Sequence, residues 1–74
     1  MTKFGEYLDK RSINKSSVYR KTGINKNRLS ELSNNPATRI KADELYLIAL
    51  AINVNPCELL EYISGHLTLK DIDE

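Results

Sequence analysis

The stretch TGINKNRLSEL, residues 22 to 32, restricts the fold more than any other part of this chain. Gly23 is the residue type that accepts a positive φ after a helix, and Asn25 can take up the free amides of the next one. The pattern therefore predicts a helix, a reversal within a few residues, and a second helix crossing the first at a steep angle. At about 100° per residue, Leu29 and Leu32 of that second helix point inward, with Asn25 and Ser33 nearby. Asn27, Ser30, Glu31 and Asn34 then face outward, flanked by Lys26 and Arg28. A helix that buries so narrow a stripe and displays so many donors and acceptors has a polar face with work to do.

Helical periodicity continues in both directions. Phe4, Tyr7, Leu8 and Ile13 share one side of a first segment, with Thr2 placed to cap it and Ser12 near its end. Asn14 can cap a second helix whose inward residue is Val18. The third helix ends in SNNP, because Pro36 cannot continue it and disfavours helical Asn35. A loop follows from Asn34 to about Ile40. The fourth segment is the most apolar, with Leu45, Ile48, Ala49 and Ile52 on one face and Leu47, Leu50 and Ala51 alongside, so it is expected as the central core helix. Asn53 accepts the left-handed conformation that stops it. Asn55, Pro56 and Glu58 supply an N-cap, a first-turn proline and a third-position glutamate for a fifth helix carrying Leu59, Leu60 and Ile63. SG at 64 and 65 ends it. The tail HLTLKDIDE alternates weakly through Leu67 and Leu69, compatible with a strand, a docking segment or disorder.

With 74 residues, the chain makes one domain with one modest core. Its longest apolar run, LYLIALAI at 45 to 52, falls far short of the roughly 20 residues that span a bilayer. MTKFGEYLDK lacks the apolar core of a signal peptide, so a cytoplasmic protein with no membrane partner is expected. A single cysteine, Cys57, excludes an internal disulfide and reads as a small, partly buried filler; with His66 as the one histidine there is no zinc ligand set. His66 lies beyond the last helix and is expected in solvent. No nucleophile is paired with a base and no Gly-rich phosphate loop is present, so neither an enzyme nor a cofactor or metal site is expected.

The net charge of +1 conceals a strong asymmetry. Residues 10 to 41 carry Lys10, Arg11, Lys15, Arg20, Lys21, Lys26, Arg28, Arg39 and Lys41 against Glu31 alone, a net +8, whereas residues 42 to 74 carry −6. A basic middle implies a polyanion on that side, and the acidic C-terminal third a surface turned to a partner or to solvent.

These elements resemble the lambda-repressor and Cro (XRE) family of helix-turn-helix DNA-binding domains over about residues 4 to 63. The residues that carry the resemblance are Val18, Gly23, Ile24, Leu29 and Leu32, the segment RLSEL, and the run ELYLIALAINVNPCELL with its short stop and Pro-started fifth helix. The implied fold is an all-α, five-helix, lambda-repressor-like DNA-binding domain over 1–65, its helix-turn-helix at about 15–34, followed by a tail at 66–74. Four positions depart from the family's pattern. Lys15 stands where Gln usually begins the second helix, Tyr19 replaces a small Ala, and Leu8 and Ser33 together replace a frequent Arg to Glu ion pair.

The resemblance implies that the helix at about 26–34 reads the major groove of double-stranded DNA. Lys26, Asn27, Arg28, Ser30 and Glu31 are the expected base readers: Asn suits adenine, Lys or Arg guanine, and Glu the cytosine amino group. Lys15, Asn34, Asn35, Arg39 and Lys41 are the expected phosphate contacts, the last two at a helix N-terminus whose amides favour anions. Family members commonly bind as homodimers on half-sites about 34 Å apart, and Leu60, Tyr62, Ile63, Leu67 and Leu69 are the candidate interface. The expected function is sequence-specific transcriptional regulation, as a repressor. Its rival is a protein-interaction module, such as the antitoxin of a two-protein system, binding a regulatory partner protein through the acidic surface.

Overall fold

The computed structural model describes residues 1–70, which form five helices: α1 Lys3–Lys10, α2 Lys15–Thr22, α3 Lys26–Asn34, α4 Ala42–Ala51 and α5 Pro56–Ser64. All but α4 start at a side chain that satisfies an otherwise free first-turn amide, each cap contributing about 1 kcal/mol. Thr2 accepts from the N–H of Gly5, Asn14 from Ser17, Asn25 from Arg28, and Asn55 from Cys57 just ahead of Pro56. Gly23 ends α2 at φ 77°, and Asn53 follows α4 at φ 60°. The helix α3 runs through Asn34, so the following loop begins one residue later than expected.

One core joins all five helices. It contains Phe4, Tyr7 and Leu8 of α1, Val18 of α2, Leu29 and Leu32 of α3, Leu45, Ile48 and Ala49 of α4, and Leu59 of α5. Around its edge pack Ile13, Tyr19, Ile24, Ile40, Ile52, Val54, Tyr62 and Ile63. The helix α4 packs against both α2 and α5, while α1 bridges α3 and α5. Tyr7 and Tyr62 meet edge to face with centroids 5.0 Å apart, closing the α1–α5 seam.

The start of α1 is fastened to the end of α3. The Thr2 N–H donates to the Ser33 carbonyl at 3.0 Å, and its hydroxyl donates to the Leu32 carbonyl at 2.7 Å. Two of the carbonyls that a helix end leaves free are thus satisfied from another helix. Gly5 makes this approach possible, because a Cβ there would run into the Ser33 carbonyl oxygen. Ser33 is buried and turns its hydroxyl back to the Leu29 carbonyl at 2.9 Å, and Leu8 is equally buried, so neither position strands a charge.

Two expectations need correction, and one open reading is narrowed. Tyr46, Leu47 and Leu50 are 55%, 41% and 54% exposed, because α4 is apolar all round and its neighbours cover one face only. Cys57 is exposed on the first turn of α5 and fills nothing. The tail forms no strand among the described residues: a turn at Gly65 and His66 leads to an irregular segment with Leu67 and Leu69 exposed. Residues 71–74, the end of the predicted tail, lie outside the described residues.

Candidate nucleic-acid interface

The helices α2 and α3 meet through the Thr22 to Asn25 turn. The Thr22 hydroxyl donates to the Val18 carbonyl at 2.7 Å and accepts the Ile24 N–H at 3.1 Å, while Ile24 packs on the core edge. One side chain therefore closes the end of α2 and fixes the reversal. With Leu29 and Leu32 buried, Lys26, Asn27, Ser30, Glu31 and Asn34 are all exposed along the other side of α3. Tyr19 is accommodated at the core edge, where it walls a shallow groove between α2 and α3 of about 190 Å³. Exposed Lys15 and Lys26 line the same groove, so α2 brings a cation beside the start of α3.

The five expected base readers do not behave alike. Lys26, Asn27 and Ser30 are exposed, whereas Arg28 is folded onto α4. Its Nε donates to Glu44 Oε2 at 2.9 Å and its Nη2 to Glu44 Oε1 at 2.8 Å, with a further bond from Nη2 to the Arg39 carbonyl at 2.8 Å. The two side chains are 31% and 12% exposed, so this fork is partly withdrawn from water. Two parallel charge-assisted bonds fix its geometry as well as its partners. Glu31 is also engaged: its Oε2 accepts from the Asn35 amide at 3.1 Å and from the Thr38 hydroxyl at 3.4 Å. Both Arg28 and Glu31 brace the loop that follows α3.

The expected phosphate contacts divide in the same way. The Asn34 amide donates back to the Ser30 carbonyl, and Asn35 bridges Glu31 and the Ala37 N–H, so both amides already have partners within the chain. Arg39 and Lys41 are exposed on either side of Ile40, which packs on the core. The N-terminus of α4 is occupied by its own acids: Glu44 accepts the Lys41 N–H at 3.0 Å and Asp43 accepts the Glu44 N–H at 3.0 Å. An incoming phosphate thus meets the two basic side chains beside a helix start whose own acids already hold the Lys41 and Glu44 amides. Lys10 and Arg11, part of the basic middle, cover the rings of Tyr62 and Tyr7 at 5.4 and 4.9 Å.

The hydrogen bond from Arg28 holds the Glu44 carboxyl below the ordinary carboxylate range, helped by the Lys41 N–H and the nearby positive charges and opposed by burial. A carboxyl depressed in the folded state stabilises the protein above its unfolded value, about pH 4.3, and that stabilisation is lost as pH falls through the folded value. Melting temperatures of the wild type and Glu44→Gln should therefore differ by about 4–8 °C near neutrality. The two curves should converge as pH drops from about 5 to about 3. Curves that stay parallel over that range would show that the ion pair contributes nothing.

A model of the Cro/C1-type HTH DNA-binding domain matches residues 3–65. The chain belongs to this family. No curated protein and no solved structure matches it. The protein is a DNA-binding regulator of transcription. No helix of the described residues is long and apolar enough to cross a membrane.

Proposed function

We propose that the protein is a sequence-specific repressor that lays α3 in the major groove of double-stranded DNA, acting by occupancy without a catalytic step. The observation that carries this reading is the split surface of α3, where Leu29 and Leu32 are buried while Lys26, Asn27 and Ser30 stand exposed beside Lys15. Asn27 is assigned to adenine, Lys26 to guanine, and Ser30 to either base edge; Glu31 keeps one oxygen for a cytosine amino group. Lys15, Arg39 and Lys41 hold phosphates on the two flanks of the groove.

A homodimer completes the reading, because one such domain touches too few base pairs for useful specificity. Of the expected interface, Leu60, Leu67 and Leu69 are exposed, whereas Tyr62 and Ile63 pack against the chain's own core. The exposed Tyr46, Leu47 and Leu50 of α4 favour the rival function too, since a contiguous helix face of that kind is a plain surface for a partner protein.

Selection of random duplexes by the purified protein near about 150 mM salt tests both readings. Recovery of a palindromic motif with half-sites about one helical turn apart supports the dimeric repressor. Recovery of no motif supports the partner-dependent module. Asn27→Ala should relax the preference at one or two base pairs, each worth about 1–3 kcal/mol, and an unchanged motif would remove Asn27 from the readers.

A further inference from the structure

We propose that Arg28 and Glu44 are positioning residues for the phosphate clamp, and that Arg28, despite lying on the recognition helix, reads no base. The inference rests on the DNA-binding reading above and assigns a different task to a side chain at its centre.

A guanidinium offers five N–H donors, and it pairs with guanine through one of two edges, Nε with Nη2 or Nη1 with Nη2. Both edges include Nη2, and here Nη2 donates to Glu44 Oε1 and to the Arg39 carbonyl, while Nε donates to Glu44 Oε2. Neither edge is free for a base. The bonds instead converge on the loop: Arg28 holds the carbonyl of Arg39, and the same Glu44 oxygen that receives Nη2 also accepts the N–H of Lys41 at 3.0 Å. These groups lie on either side of Ile40, whose side chain is anchored at the core edge. Three fixed points within three residues set the path of the backbone. The exposed Arg39 and Lys41 side chains are thereby displayed at a constant offset from α3. From the other end, Glu31 holds Asn35 and Thr38 of the same loop. A clamp ordered before DNA arrives binds without losing that freedom on contact.

Glu44→Gln tests the idea by the sign of its effect. The amide oxygen it introduces can still accept the Lys41 N–H, and the change removes a negative charge close to the DNA face, so electrostatics alone would strengthen binding. Positioning predicts the opposite, a loss of about three- to tenfold for a labelled random-sequence duplex of about 20 base pairs. Arg28→Lys, which keeps the charge but cannot fork, should show a similar loss with the selected motif unchanged at every position. In an Arg39→Ala/Lys41→Ala background it should have no further effect, because the groups it positions are gone. All affinities are taken at a temperature where melting curves show each variant folded.

Tighter binding by Glu44→Gln, a shifted preference for guanine in Arg28→Lys, or losses that multiply in the combined variant would each overturn the inference while leaving the DNA-binding reading intact. A wild-type protein that binds no duplex would overturn both.

Discussion

Affinity for duplex DNA should fall by about ten- to one-hundredfold near about 150 mM salt when Arg39 and Lys41 are both replaced by Ala, and by the same factor for every sequence. The expectation follows from where these side chains stand. Both are exposed and flank Ile40, whose packing on the core holds the backbone between them. The Lys41 and Glu44 amides nearby are already engaged by Glu44 and Asp43, so most of the attraction at this flank is expected from the two cations. Each cation removed from a phosphate should reduce the slope of log affinity against log salt by about 0.9, hence about 1.8 for the pair. Stability should change by less than about 0.5 kcal/mol, since neither side chain is buried. Binding titrations of a motif-bearing and a scrambled duplex across a salt series provide the check. A loss confined to the motif-bearing duplex would make these residues readers of sequence.

Leu29→Ala should remove about 3 kcal/mol of stability, a large share of the roughly 4–11 kcal/mol expected for a domain of this size. Leu29 is 1% exposed and lies in a core whose members come from all five helices, so the cavity left behind cannot be filled by local collapse of one element. The melting temperature should drop by at least about 12 °C. Leu50→Ala deletes the same atoms from a site that is 54% exposed, and it should cost under about 1 kcal/mol. Comparing the two separates burial from helix propensity, because both replacements put Ala into a helix. Equal losses would mean that the outer face of α4 is covered in solution, which the same sample would reveal as a concentration-dependent melting temperature.

The order and limits of the helices were legible in the sequence because their causes are local. Thr2, Asn14, Asn25 and Asn55 each satisfy an amide within three residues, and Gly23 and Asn53 take the left-handed conformation that their residue types tolerate. The narrow stripe of Leu29 and Leu32 was legible for the same reason, since a period of 3.6 residues assigns their side without reference to any other element.

What lies across the fold was not legible. Arg28 and Glu44 are 16 positions apart, and nothing near either residue announces the other. Arg28 therefore reads locally as one more outward cation, although the fold brings Glu44 and the Arg39 carbonyl within reach of its guanidinium and turns it into a fastening for the loop. The exposed face of α4 was hidden by the opposite problem. Periodicity put Leu45, Ile48, Ala49 and Ile52 on one face, which is the side buried, but LYLIALA is apolar all round, so nothing local showed that Leu47 and Leu50 would stay uncovered where α2 and α5 do not reach. Sequence alone settled the order of the helices and most of their ends, because caps, stops and periodicity act within about one helical turn. Only the tertiary structure decided which polar side chains remain free for DNA, because that depends on partners brought close by packing rather than by neighbourhood along the chain.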